Sequence, residues 1–460
     1  MRTAAARRPD AVDTVSFTEV EAFPPLDGIE PGQLFALSLS TPTTACTHGL
    51  HRFAAKFVPQ VPGWALDAFA GPAERVVVDP FMGSGTTLVE GLLRGGTTVG
   101  VDVDPLARLI ARAKTTAVDP DRIRSLAAEL AGELTGRWPG PSAELRPPMP
   151  DVDNFAHWFE PRQWARVQSL RDAILTLDCH DDERAFLLVV FSSILRWVSN
   201  ADDQSQKTYV SGTRPKRPPA VDAVFWRFLD RAVAGLAELE RRRAPGADVR
   251  IPAGAGVDAT DLGLPAASVD LAVTSPPYLD SVDYPYNMML EYFWLGPLLG
   301  VPDRRSFNAL RRRPVGAKHP AEPEAPPAAL HDLVVLDALP PARRAAATTY
   351  FALMERHLAE MARVLKPGAR YVFVVGNSQT RLDMVPLHDA LVRLAAGAGL
   401  GLERAFGYRI RRHYMKFPRA GRGGIILIDW VLVFRNGAPA AAPGALPRPW
   451  LTLAPDAVAH

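Results

Sequence analysis

Short runs of β-branched and aromatic residues recur along the chain, bounded by glycine, proline or acidic residues, and the apolar positions between them fall at helical spacing. Val76-Val77-Val78, Thr97 to Val101, Ser268 to Val273, Ala369 to Val375 and Ile425 to Phe434 read as buried core strands. Arg404 to Phe417 reads as a further strand with a basic, aromatic tip (Arg411, Arg412, His413, Tyr414, Lys416). Helices are predicted around Trp64 to Phe69, over Leu88 to Leu93, from Pro105 to Lys114 with proline in the first turn, and from Asp119 to Arg137. Further helices are predicted from Asn287 to Leu295, from Ala345 to Leu365 with Lys366-Pro367-Gly368 as the stop, and from Val385 to Ala396. Strands alternating with helices predict an α/β fold around a mostly parallel sheet.

The same pattern divides the chain. Residues 1–44 are polar, lack a sustained period and read as a partly disordered arm with one short strand. A first core segment spans 45–118, and a mainly helical insertion spans 119–248, in which a Pro-rich linker between Gly140 and Pro150 follows the first helix. Within the insertion, Ala185 to Trp197 is apolar almost all round, as a buried helix is, whereas Phe225 to Arg243 is amphipathic. A second core segment spans 249–436 and contains an Arg/Pro-rich loop, 302–344, too long for an idle connection. The Ala/Pro-rich residues 437–460 read as a disordered tail.

Two stretches carry chemistry. Thr274-Ser275-Pro276-Pro277-Tyr278 closes a strand with two prolines, which remove backbone donors and hold the chain extended. Ser275 and Tyr278 then stand at the carboxyl end of that strand, where open α/β sheets bind ligands. A bare Pro-Pro would read as a turn, but Asp79-Pro80-Phe81-Met82-Gly83-Ser84-Gly85-Thr86-Thr87 is a second such stretch. It reads as strand, glycine turn and helix start, with Gly83 and Gly85 letting backbone approach a ligand. One strand later, Asp102 is the acid that usually meets ribose hydroxyls in nucleoside-binding folds.

Together these stretches resemble motifs I and IV of the S-adenosylmethionine-dependent DNA amino-methyltransferases, motif IV in the Ser-Pro-Pro-Tyr form commonest among cytosine-N4 enzymes. The resemblance covers roughly residues 45–118 and 250–435. It implies a Rossmann-like class I methyltransferase fold, a mostly parallel seven-stranded sheet with one antiparallel strand, carrying a helical insertion. It also implies a cofactor pocket at Lys56 and Phe57 (within Thr47 to Pro62, similar to motif X), at Asp79, Pro80, Phe81, Gly83, Ser84, Gly85, Thr86 and Asp102, and at Asp258, with Asp261 as the second candidate for motif III. Ser275 Oγ and the Pro276 carbonyl would accept hydrogens from an exocyclic amine, Pro277 would stiffen the strand end, and Tyr278 would stack on the flipped base. The implied reaction is N4 methylation of cytosine in duplex DNA. Adenine-N6 methylation, RNA guanine-N2 methylation and a non-catalytic nucleic-acid-binding subunit follow as alternatives. The motif order, with IV after I, departs from the arrangement most cytosine-N4 enzymes use.

The formal net charge of +2 argues against a global polycation, so a DNA surface must be local. Arg214, Lys216 and Arg217 in the insertion, and Arg311, Arg312 and Arg313 in the long loop, are the candidates for phosphate contact. Two widely separated cysteines, Cys46 and Cys179, predict a reducing cytoplasm and no disulfide framework, and neither lies in a Pro-Cys motif of the kind cytosine-C5 chemistry needs. The ten histidines show no paired ligand spacing, so no metal is expected. No apolar run reaches transmembrane length, and no apolar core follows the basic N-terminus. A cognate restriction endonuclease or defence-system partner is the expected company of such an enzyme.

Overall fold

The computed structural model describes residues 16–38, 43–53, 56–69, 71, 75–135, 145–152, 154–203, 207–213, 215–252, 256–279, 283–332, 336, 339–376, 387–410 and 428–440. Nine strands form one sheet: β1 (Thr18–Val20), β2 (Leu34–Leu37), β3 (Val76–Asp79), β4 (Thr97–Gly100), β5 (Asp248–Arg250), β6 (Val269–Thr274), β7 (Leu365–Gly376), β8 (Leu400–Arg409) and β9 (Ile428–Asn436). Their order is β1-β2-β8-β9-β7-β6-β3-β4-β5. Every neighbouring pair is parallel except the two made by β9, which runs antiparallel to β7 and β8. Strands β3 to β9 are the seven-stranded sheet with a reversed strand that the sequence implies, and the fold is Rossmann-like.

The central strands are apolar on both faces because helices cover both. Val77, Leu271, Val273, Val372, Val374, Val431 and Val433 point to one side, and share a core with Trp64 and Leu66. Val78, Ala272, Tyr371, Phe373, Val375, Leu432 and Phe434 point to the other, against Phe351, Met354 and Leu391. The period of two along each strand produces this division.

Helix α1 (Gln60–Phe69) precedes β3, α2 (Thr86–Arg94) joins β3 to β4, and α3 (Pro105–Thr115) follows β4. The insertion holds α4 (Pro120–Leu134), α5 (Phe155–Trp158), α6 (Pro161–Thr176), α7 (Asp181–Val198) and α8 (Val221–Arg242). After β6 come α9 (Tyr284–Asn287), α10 (Met289–Leu295) and α11 (Arg304–Leu310), then α12 (Pro341–Val364) before β7 and α13 (Leu387–Gly397) before β8. Among the described residues no helix is long and apolar enough to cross a membrane.

Several expectations change. Among the described residues the sheet has nine strands because the N-terminal arm contributes two. Phe23 and Phe35 pack edge-on against Phe406 at 5.3 and 5.8 Å, and β2 pairs with β8. The arm's apolar residues have no regular spacing, so periodicity could not reveal strands held by an edge formed nearly 400 residues later. The helix expected from Asn287 to Leu295 is α10, and a separate helical turn, α9, precedes it, the two parted at Met288. The long loop 302–344 contains α11 and a 3-10 turn, Ala328–Leu330. Lys366-Pro367-Gly368 does stop α12, but the strand begins at once, and the pairing shift between Val269 and Leu271 accommodates the excursion. The insertion is no separate unit: Phe186, Phe191 and Val198 share one core with Tyr292, Trp294, Phe307 and Leu310 from beyond β6. The tip Arg411, Arg412, His413, Tyr414 and Lys416, the polar loop from Asn377, residues 1–15, 136–144 and 441–460, and Arg214 lie outside the described residues.

Candidate active site

The glycine turn follows from local backbone needs. Gly83 (φ +49°) and Gly85 (φ +79°) are both left-handed. A Cβ on Gly83 would come within 3.0 Å of Phe53 Cε1, and one on Gly85 within 3.0 Å of Ala111 Cβ. Glycine is therefore required twice over, by conformation and by space. The turn is held from below by Asp102, whose carboxylate accepts from the amides of Gly83 (2.9 Å) and Asp104 (2.8 Å). Burial, and then the neighbouring Asp104, push the Asp102 carboxyl up to about 7. Asp104 caps α3, accepting from Leu106 and Ala107 amides, and takes the Tyr292 hydroxyl at 2.5 Å.

Asp79 does something other than the sequence suggests. It is fully buried and does not line the cleft. Its carboxylate accepts from Thr87 Oγ1 (2.6 Å), Thr274 Oγ1 (2.5 Å) and the Phe81 amide (3.2 Å). Burial pushes its carboxyl up to about 6 despite those donors. Asp79 thus ties the end of β3 to the end of β6 and aligns the two stretches, a positioning role in place of the expected cofactor contact.

One cleft at the carboxyl ends of β3, β4 and β6 collects Pro80, Phe81, Gly83, Ser84, Thr86, Asp102 and Asp258, together with Ser275 and Pro277. Gly85 stands behind it, in the turn. Asp258 Oδ1 accepts from Thr260 N and Thr260 Oγ1, both at 2.7 Å. Asp261 is bridged to it through the backbone and stays outside the cleft. His357 supports this wall: its ring meets Phe81 edge-on at 4.8 Å, Nδ1 donates to the Ala259 carbonyl (2.8 Å), and Nε2 therefore accepts from Tyr371 (2.6 Å). Lys56 and Phe57 also line the cleft. Lys56 Nζ donates to the His48 carbonyl at 2.9 Å, and burial pulls it down to about 8. His48 in turn pairs with Glu90 of α2 at 2.8 Å, which staples this loop to the helix after the glycine turn.

The Ser-Pro-Pro-Tyr segment divides between cleft and core. Ser275 and Pro277 are half-buried and face the cleft, while Pro276 and Tyr278 are buried. The Tyr278 ring is only 7 % exposed, and its hydroxyl donates to Asp429 Oδ1 at 3.1 Å. Tyr278 therefore lies outside the cleft lining where a base-stacking ring is expected, with its hydroxyl anchored inside the sheet. Two other rings, Phe53 and Tyr284, line the cleft, stacked with centroids 6.4 Å apart and planes 25° from parallel.

Of the basic candidates, Lys216 turns inward. Its Nζ donates to the carbonyls of Arg196 (2.7 Å) and Ala201 (3.2 Å), so its place is within the insertion, away from phosphate. Arg217 is exposed. Arg311 is committed to Asp283 (2.7 and 3.0 Å) and lies over Tyr286 at 5.1 Å. Arg312 faces an open groove with Arg304, Arg305 and Asn308, and Arg313 stands at the rim of the main cleft.

Sequence reasoning missed Phe53, Tyr284, His357 and Asp429. Only Asp429 carried a legible signal, as the lone charge inside the otherwise apolar run Ile425 to Phe434.

No protein-family model matches the chain. It is 26% identical over 380 residues to the type II methyltransferase M.MvaI of Kocuria varians, covering 76% of this chain and 80% of that protein. It is 33% identical over 87 residues to the type II methyltransferase M.MjaII of Methanocaldococcus jannaschii, 19% of this chain and 16% of that one. A solved S-adenosylmethionine-dependent methyltransferase from Methanosarcina mazei aligns over 80% of this chain and 94% of its own, at 11% identity and a TM-score of 0.28. So slight a structural likeness carries no weight, and the fold rests on the strand order above. The sequence relatives bear out the resemblance read from the two motifs.

Proposed function

We propose that this relative of the type II methyltransferases transfers a methyl group from S-adenosylmethionine to the exocyclic N4 of cytosine in duplex DNA, with the base turned out of the helix. The meeting of a glycine turn, two acceptor carboxylates and a Ser-Pro-Pro strand end in one cleft carries the reading. The residues present fit the cofactor. Asp102 suits a ribose diol and Asp258 an adenine amine, since carboxylates accept the hydrogens both groups donate. Lys56, the cation of the cleft's methionine side in the resemblance, suits a carboxylate. When bound, the cofactor supplies an electrophilic methyl on a sulfonium.

An exocyclic amine conjugated to a nucleobase ring is a poor nucleophile. Ser275 Oγ and the Pro276 carbonyl would accept its two hydrogens, draw the nitrogen towards tetrahedral geometry and localise its lone pair. The two prolines keep both acceptors still, so positioning supplies most of the acceleration. Phe53 and Tyr284 offer apolar faces to a base in the same cleft. Serine as first residue of the Ser-Pro-Pro-Tyr segment favours cytosine over adenine, by resemblance.

Mass spectrometry of nucleosides from duplex DNA incubated with protein and S-adenosylmethionine tests this reading, with Ser275→Ala as the blank. N4-methylcytosine absent from the blank is the expected result. N6-methyladenine would keep the mechanism and change the base. No methylated nucleoside would move the search to tRNA, and then to a non-catalytic role.

A further inference from the structure

Asp429 is a buried carboxylate, 9 % exposed, at the start of β9, and among the described residues no basic side chain pairs with it. Among the described residues its hydrogen-bond partners are tyrosine hydroxyls: Tyr278 donates to Oδ1 at 3.1 Å and Tyr408 to Oδ2 at 3.0 Å. Tyr284, from α9, is the third titratable group that feels its charge. A buried charge is costly, and its hydrogen bonds must offset that cost. The Tyr278 oxygen also lies 3.5 Å from Ser275 Oγ.

These contacts set the order of protons. Tyr278 has one proton and gives it to Asp429, so in the contact with Ser275 it can only accept. Ser275 must then donate to Tyr278, which leaves the Ser275 Oγ lone pairs turned to the cleft. That is the orientation an amine hydrogen needs.

Resting on the proposed amine methylation, we propose that Asp429 is the terminal proton acceptor of the reaction, reached from the substrate nitrogen through Ser275 and Tyr278. Methylation forms the N–C bond from the nitrogen lone pair while the sulfonium S–C pair returns to sulfur, and leaves the nitrogen cationic. The nitrogen regains neutrality by keeping its N–H pair and releasing the proton to Ser275 Oγ. The Ser275 proton passes to Tyr278, and the Tyr278 proton to Asp429, which ends as a neutral acid and later discharges to water. Ser275 touches the amine, whereas Asp429 acts through two other side chains and also positions them.

Single-turnover rates against pH test the relay with the full chain, duplex DNA and S-adenosylmethionine. In the parent protein the rate should fall on the acid side as the Asp429 carboxylate, which burial holds at about 6, becomes protonated. Asp429→Asn should slow the chemical step roughly 100-fold, abolish that acid limb and leave binding of both substrates within about twofold. Tyr408→Phe removes one donor to the carboxylate but keeps the carboxylate, so the acid limb should move to higher pH, a shift no merely structural role gives. An Asp429→Asn protein with the parental rate and limb overturns the relay alone. If that variant melts early, an unmoved limb in Tyr408→Phe overturns it instead. A parent protein that methylates no nucleoside overturns the relay together with the function it rests on.

Discussion

Thr274, the last residue of β6 and the one before Ser275, spends its hydroxyl on Asp79, and that bond joins β3 to β6. Thr274→Val leaves a buried carboxylate one donor short and should cost about 1–3 kcal/mol. Its pH dependence has a definite sign. Asp79 is raised in the folded chain from 3.8 to about 6, so its ionisation opposes folding once pH rises past the unfolded value. Removing a donor to the charged form deepens that loss. The gap in denaturant midpoint between parent and Thr274→Val should widen from pH 4 to pH 7. An equal gap at both values would mean that the hydroxyl acts through packing alone. Lys56 shows the opposite case. Burial lowers it from 10.5 to about 8, so the cost of its charge is complete below pH 8 and is relieved as pH rises towards 10.5. Lys56→Met should therefore show a smaller gain in melting temperature between pH 8 and pH 10 than the parent.

Turns and helices depend on the same few positions. Gly83→Ala or Gly85→Ala asks an alanine to adopt left-handed backbone at roughly 1–2 kcal/mol, and presses a new Cβ on Phe53 or on Ala111. Both should lower the melting temperature. Gly83→Ala should weaken S-adenosylmethionine binding more, by calorimetry, because Gly83 lines the cleft and Gly85 does not. Equal affinities for the two variants would show that the turn is read only as a whole. Helix α7 makes the second case. Phe186 is fully buried in the core that α7 shares with α10, so Phe186→Ala should cost about 3–5 kcal/mol. Because α10 follows the Ser-Pro-Pro-Tyr segment closely, that loss should register in methyl transfer as well as in melting.

At the scale of the molecule, a net charge of +2 leaves DNA affinity to a local surface. Arg312 and Arg313 stand on an open groove and at the cleft rim, while Arg311 holds Asp283. Arg312→Ala with Arg313→Ala should therefore weaken DNA binding and flatten its salt dependence by about 0.9 in log–log slope per lost phosphate contact. Arg311→Ala should mainly loosen the loop. An unchanged slope in the double variant would remove this loop from the interface.

The amino-acid sequence alone determined the alternation of strands and helices, the two glycines of the turn, the acid after β4 and the serine at the end of β6. Each of these follows from backbone preference or apolar period over a few neighbouring residues, and such effects are written locally. Tertiary structure decided which side chains face the cleft. Asp79 and Tyr278 look like ligand contacts in sequence, yet both turn inward, because their partners Thr274 and Asp429 come from 195 and 151 residues away. Lys216 looks like a phosphate contact and is spent on carbonyls of its own insertion. Phe53 and Tyr284 look like core residues and become walls of the cleft. The direction of a polar side chain is set by where burial leaves it a partner, and that is known only once distant segments have met.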